Sequence, residues 1–191
     1  MAMIDVRNRA IDAKIVYYGP ALSGKTTNLL NIHSRLPEGT RGEMRSIATE
    51  SERTLFFDFV PVEPIRIGGW LVRFHLYSVP GQETYVRTRR AILGGTDGVV
   101  FVADADASRL DANRASLDEL REHLQHFQRS VHDVPLVLQF NKVDLATAID
   151  AGRLHTSLNS DDWPEFEAIA MQGNGVAETL MAISKAVART L

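Results

Sequence analysis

The 191-residue chain contains no cysteine. That absence removes disulfides, thiolate metal sites, cysteine nucleophiles and prenyl or palmitoyl attachment, and it suits a reducing compartment such as the cytoplasm. Long apolar runs are missing as well, so no segment has the length of a signal-peptide core or a membrane span. The Met1-Ala2-Met3 start has no glycine at position 2 for myristoylation, so no lipid anchor is expected and any membrane contact would be reversible and borne by protein partners. Excess charge of one sign is lacking too. Lys plus Arg number 21 against 24 Asp plus Glu, for a net charge of −3, which leaves no electrostatic basis for nucleic-acid binding. What is present, 45% hydrophobic and 24% charged residues, supplies enough apolar surface to offset chain entropy. The length favours a single domain over residues 1–191, and the lack of a heptad pattern makes a monomer with transient partners the expected state.

Hydrophobic periodicity alternates between two and about 3.6 along the chain, the pattern of βα units. Ile11 to Tyr18 reads as a buried strand, and a helix follows from Lys25 to about Arg35, stopped before Pro37. Pro37 to Arg53 has no clear period and is read as a functional or mobile loop. Leu55–Val60 and Trp70–Tyr77 are strands flanking a hairpin turn at Gly68-Gly69, with Trp70, Val72, Phe74 and Leu76 on one face. Gly98–Ala103 and Val134–Phe140 read as central parallel strands. Leu110, Leu117, Leu120, Leu124 and Phe127 mark one core-facing helix, and Val176, Leu180, Ile183, Val187 and Leu191 another. The expected fold is α/β: a mostly parallel six-stranded sheet with one antiparallel edge pair and helices on both faces. In such sheets ligands bind beyond the carboxyl ends of the strands.

The residues after the first strand are Gly19-Pro20-Ala21-Leu22-Ser23-Gly24-Lys25-Thr26-Thr27, a full match to the phosphate-cradling pattern G-x-x-x-x-G-K-[ST] between a strand and a helix. Glycines let backbone amides turn around phosphate oxygens, and the helix offers its amino end to the anion. Lys25 bridges the β- and γ-phosphates, and the Thr26 hydroxyl can ligate Mg²⁺. The loop alone leaves kinases, ATPases and GTPases open. After the strand ending at Phe140 comes Asn141-Lys142-Val143-Asp144, which resembles the guanine-reading N-K-x-D motif of Ras-like GTPases. One ionised carboxylate can accept from the ring N–H and the exocyclic amine of guanine together, whereas adenine offers no such pair, so GTP is preferred over ATP.

Longer tracts extend the likeness over nearly the whole chain: Lys14-Ile15-Val16-Tyr17-Tyr18-Gly19-Pro20, Glu52-Arg53-Thr54-Leu55-Phe56-Phe57-Asp58-Phe59, Arg73-Phe74-His75-Leu76-Tyr77 and Val79-Pro80-Gly81-Gln82. On these the sequence resembles the MglA-type bacterial small GTPases, the cell-polarity and gliding-motility branch of the Ras-like phosphate-loop fold. The resemblance implies roles position by position. Thr54 matches the first-switch threonine that ligates Mg²⁺ and contacts the γ-phosphate. Arg53 matches an intrinsic arginine finger acting in cis, or else is a solvated strand-flank arginine. Gln82 matches the glutamine that orients the attacking water, Gly81 the glycine whose amide meets the γ-phosphate, and Ala170 the residue whose amide reads guanine O6. The resemblance further implies GTP/GDP and Mg²⁺ as ligands, a Roadblock-domain MglB-type activating partner, polarity or motility effectors, and a strand shift between nucleotide states.

Three positions depart from the Ras-like pattern. Ser78 stands where an aspartate is usual, an aspartate that MglA-type proteins also lack, and this predicts weaker metal binding unless water or another carboxylate, with Asp58 a candidate, compensates. Ala21 replaces a glycine, and its methyl is expected to crowd Gln82 and the arginine and slow hydrolysis. Met171 replaces a lysine at a position where only backbone makes contact. A guanine-nucleotide-binding scaffold with little or no hydrolysis is the alternative function that Ala21 and Ser78 favour. His123 and His126, three apart on a helix, are read as wet-face residues rather than metal ligands. Arg87, Arg89 and Arg90 are read as a solvated face or a docking patch. Trp70 with Phe56, Phe57 and Phe59 is core and strand-edge material.

Overall fold

The computed structural model describes residues 2–36, 47–49, 52–54, 65–81 and 83–191. Strand β1 (Met3–Asp5) leads into β2 (Ala10–Tyr18), and helix α1 (Lys25–Arg35) follows. Next come two short strands, β3 (Ile47–Thr49) and β4 (Glu52–Thr54), then the hairpin of β5 (Ile65–Ile67) and β6 (Trp70–Ser78). Helix α2 (Val86–Leu93), strand β7 (Gly98–Asp104), helix α3 (Leu110–His126) and strand β8 (Leu136–Asn141) alternate. Helix α4 (Ala151–Leu158), strand β9 (Glu165–Ala168) and helix α5 (Val176–Ala188) complete the order.

The main sheet runs β5-β6-β2-β7-β8-β9, parallel throughout except for the antiparallel edge pair β5·β6. Its centre is β7, where Gly98–Asp104 is buried along its whole length, as expected for a β-branched run covered on both faces. Successive side chains feed opposite cores. Val16, Tyr18, Val99, Phe101 and Ala103 pack with Leu117, Leu120 and Leu124 of α3 on one face. Ile15, Tyr17, Val100 and Val102 pack with Leu29 of α1 and with Ile183 and Val187 of α5 on the other. This period-two partition makes a three-layer α/β molecule.

Several sequence expectations need amending. The chain adds β1, which pairs antiparallel with the start of β2 and makes a second antiparallel pair. Within the stretch read as a loop, Ile47–Thr49 and Glu52–Thr54 form a small two-stranded sheet of their own; three-residue strands are too short to show a period. The turn at Gly68-Gly69 is as expected, both residues having positive φ, but its first strand among the described residues is Ile65–Ile67, and Leu55–Val60 lies outside them. Phe127 caps α3 and is 37% exposed, and Leu191 lies beyond α5 and is 45% exposed, so neither end of those two helical stripes faces the core.

Candidate functional site

The chain between β2 and α1 folds as a cradle of left-handed residues: φ is +139° at Gly19, +65° at Leu22 and +100° at Gly24. Side chains could not replace the two glycines. A Cβ on Gly19 would lie 2.2 Å from the Val102 carbonyl oxygen, and one on Gly24 would lie 2.1 Å from Asn141 Nδ2. Lys25 opens α1 yet is only 5% exposed, and its Nζ donates to Gly19 O at 2.9 Å and Pro20 O at 2.6 Å. The first turn of α1 carries no acidic residue, so the positive end of the helix is left to an external anion. Ser23 Oγ is buried with no hydrogen-bond partner among the described residues. Thr26 and Thr27 follow in the first turn, half-buried.

Asn141 at the end of β8 joins this cradle to the loop after β9. Its Nδ2 donates to Ser23 O at 2.8 Å, and its Oδ1 accepts from the Ala170 N–H at 2.9 Å. Lys142 takes a left-handed conformation with φ +69°, its N–H bonded to Ala168 O and its Nζ 2.6 Å from Asp104 Oδ2. Leu22, Gly24, Thr27, Asn141, Lys142, Asp144, Ala170 and Met171 line one cavity of about 230 Å³, with Asp144 exposed at its rim. Below it lies a buried polar relay absent from the sequence reading. Asn28 and Gln139 exchange two hydrogen bonds at 2.7 and 3.0 Å, and Gln139 also donates to Thr179 Oγ1 at 3.0 Å. The available signal was a glutamine interrupting the apolar strand Leu136–Phe140, where an amide must find partners from other elements.

On the opposite side of the cradle, Gly81 presses on Ala21. A Cβ on Gly81 would lie 2.4 Å from Ala21 Cα and 3.0 Å from Lys25 Nζ, so only a glycine approaches this closely. Beside them opens a cavity of about 700 Å³ whose wall includes Pro20, Thr84, Arg89, Arg109, Ser116 and Glu119. Arg109 Nη2 crosses to donate to Ala21 O at 2.9 Å. Arg89 is not solvated as expected: it is 4% exposed, pairs with Glu119 at 2.6 Å and donates to Pro80 O at 3.2 Å. His123 is likewise buried rather than on the wet face. It sits against Tyr18 OH, which donates to Glu119 Oε2 at 2.9 Å. Burial pushes the His123 pKa down, against the opposing pull of Glu119. Both misplacements have one cause. A helix covering a sheet buries whatever lies under it, and charged groups are accepted there when they pair.

Arg53 and Thr54 lie in β4, opposite Ala48 and Ile47 respectively. Gln82, Asp58, Phe56, Phe57 and Phe59 fall outside the described residues. Ser78 ends β6, 1% exposed and in register with Tyr17. Among the described residues no group of three His, Cys, Asp or Glu side chains gathers to hold a metal, and no helix is long and apolar enough to cross a membrane.

Comparison with known proteins agrees with this architecture. The family model described as ADP-ribosylation factor family matches residues 2–187. The mutual gliding-motility protein MglA of Myxococcus xanthus is 46% identical over 187 residues, covering 98% of this chain and 96% of that protein. The ADP-ribosylation factor-like protein 6 of Caenorhabditis elegans is 25% identical over 122 residues, 61% of this chain and 63% of its own length. A match to the family over nearly the full length, joined to that likeness to MglA, means that the chain belongs to the ADP-ribosylation factor family and is a small GTPase of the MglA type.

Proposed function

We propose that the chain is a molecular switch that binds GTP with Mg²⁺, hydrolyses it slowly by itself, and controls cell polarity or motility through partners that recognise its triphosphate state. The observation that carries this reading is the double tie of Asn141 to Ser23 O and Ala170 N. It ties the cradle to the base-side loop, and Leu22, Gly24 and Thr27 line a cavity together with Asp144 and Ala170, so a molecule with phosphates at one end and a purine at the other would meet both.

The residues present fit such a ligand. The buried Lys25 ammonium, which donates to Gly19 O and Pro20 O, sits where phosphate oxygens could accept from it, and Ser23 Oγ lacks a partner among the described residues. Gly19, Ala21, Leu22, Ser23 and Gly24 supply the amide cradle, and Thr27 borders the base-side cavity. Asp144 reads the two adjacent donors of guanine, while Lys142 and Asn141 hold that loop in place. Ala170 closes the cavity, and its N–H is shared between Asn141 and guanine O6. Thr26 and Thr54 would hold Mg²⁺ through their hydroxyls, and the ion would offset phosphate charge. Gln82 orients the attacking water, Gly81 offers its amide to the γ-phosphate, and Arg53 acts in cis on the charge developing between the β- and γ-phosphates.

A Roadblock-domain MglB-type partner then accelerates hydrolysis by arranging Arg53 and Gln82. The protein works as a cytoplasmic monomer brought to a cell pole or membrane by partners. The scaffold reading, with little hydrolysis, draws on the tight contact of Gly81 with Ala21, where the Ala21 methyl adds bulk beside the reacting phosphate. Denaturing the purified protein and identifying what it releases tests nucleotide choice: a guanosine phosphate is expected, and an adenine nucleotide overturns the reading. Phosphate release from GTP with and without a Roadblock partner then separates switch from scaffold.

A further inference from the structure

Leu22 is a γ-branched L-residue held at φ +65° and 78% exposed. Its side chain therefore gains little from packing where it sits. The left-handed conformation brings Cβ toward the following carbonyl, and it persists for such a residue only where surrounding contacts over-determine it. The contact on this peptide comes from the start of α3: Arg109 Nη2 donates to Ala21 O at 2.9 Å. The carbonyl of Ala21 and the N–H of Leu22 belong to one trans peptide plane and point in opposite directions. A carbonyl drawn toward Arg109 turns the Leu22 N–H away from α3.

The base of Arg109 is fixed. It closes the 3₁₀ turn Ala107–Arg109, where Asp106 accepts from Ser108 N at 2.8 Å and from Thr147 Oγ1 at 2.5 Å. The Asp106 N–H in turn bonds Asp104 Oδ1 at 3.1 Å, and Asp104 pairs with Lys142 at 2.6 Å. The end of β7 and the short turn after it thus carry both the partner of the base-side lysine and the arginine that touches the cradle.

We propose that Arg109 is a positioning residue for phosphate binding: by holding the Ala21 carbonyl outward, it keeps the strained Leu22 peptide in the orientation that presents the Leu22 N–H to the diphosphate oxygens. The inference rests on the reading of Gly19–Thr27 as a phosphate cradle. Without Arg109 the peptide can relax toward the right-handed region and withdraw that donor. A glycine at position 22 carries no such penalty, so it should make Arg109 dispensable.

The test is dissociation of fluorescently labelled GDP in four proteins: wild type, Arg109→Ala, Leu22→Gly and the double variant. Arg109→Ala should speed GDP release about tenfold, ~1.4 kcal/mol, in the Leu22 background and less than twofold in the Leu22→Gly background. Arg109→Lys, which keeps one charged donor, should recover part of the loss. Should Arg109→Ala fail to fold, Arg109→Met keeps the stem and carries the same comparison. An unchanged release rate, or the same acceleration in both backgrounds, overturns the proposal, because a general structural role would not depend on residue 22. A wild-type protein that holds GDP but releases no phosphate from GTP refutes the hydrolytic reading alone and leaves this comparison intact. A wild-type protein that binds no GDP overturns both.

Discussion

Asn141 belongs to a motif read from sequence as base recognition, and its side chain ties two protein segments together: Ser23 O at 2.8 Å and Ala170 N at 2.9 Å. Replacing it with alanine removes both bonds and strands a carbonyl and an N–H at a site where Asn141 itself is 2% exposed. Each stranded group costs about 1–3 kcal/mol, and water entering the cavity after truncation relieves part of it, so the loss should be about 2–4 kcal/mol. For a chain of this size that corresponds to a drop of about 4–16 °C in melting temperature. The effect on ligands should be blunt. Asn141→Ala should weaken GDP and its inosine counterpart by similar factors, because what is lost is the tie between cradle and base loop. Asp144→Ala should instead narrow the preference between them, since inosine lacks the exocyclic amine that the carboxylate accepts from. The assay is a thermal melt at fixed nucleotide concentration with titrations of both diphosphates. A melt unchanged within a degree, or a change in base discrimination equal to that of Asp144→Ala, would refute the clamp argument.

Arg89→Ala leaves Glu119 half-desolvated and Pro80 O without its donor; the side chain of Glu119 is 22% exposed, which softens the penalty for breaking a buried pair to about 2–3 kcal/mol, measurable by urea unfolding. His123 should give the fold an acid-side dependence. Burial lowers its pKa from the ordinary 6.5, so below pH 6.5 the unfolded chain binds the extra proton first and stability falls with pH until the folded-state pKa is passed. His123→Phe should flatten urea midpoints over that window, and an equally steep profile would show that His123 is not the cause. Ala21→Gly should raise the single-turnover rate of GTP hydrolysis in the presence of an activating partner, and an unchanged rate would end the crowding argument.

The parts of the fold that could be read in the sequence are those where one element repeats one environment. The strand Gly98–Asp104 is buried throughout and the strand Trp70–Ser78 alternates, so each declares its period. Helix α1 begins at Lys25 and ends at Arg35, where the phosphate-loop pattern and the coming Pro37 placed it. By contrast β1, β3 and β4 have three residues each, and their identity comes from a partner strand rather than from any run of their own. The same contrast holds for the site. The cradle and the Asn141–Asp144 turn are contiguous motifs and were legible. Arg109, Arg89, Glu119 and the Asn28–Gln139–Thr179 relay were not, because each acts on a segment dozens of residues away and its own surroundings look like an ordinary helix or strand.

The parallel registers explain why scattered residues converge. Tyr18 pairs with Phe101, Asp104 with Asn141, and Asn141 with Ala168, so β2, β7, β8 and β9 run out along one edge of the sheet. The loops leaving these strands are thereby stacked side by side: the cradle after β2, the Asp104–Arg109 turn after β7, the Asn141–Asp144 turn after β8 and Ala170 after β9. Side chains then cross from one loop to the next, Arg109 to Ala21, Lys142 to Asp104, and Asn141 to both Ser23 and Ala170. Each loop is short and would be mobile alone, since a loop's own contacts rarely repay its ordering entropy. Tied in series, they share that cost, and a ligand spanning the edge would find its phosphate and base contacts already at fixed separation. Loosening any one tie should therefore weaken contacts at both ends of the nucleotide, whereas removing Asp144, proposed above to read the base, should alter the choice of purine and leave phosphate contacts in place.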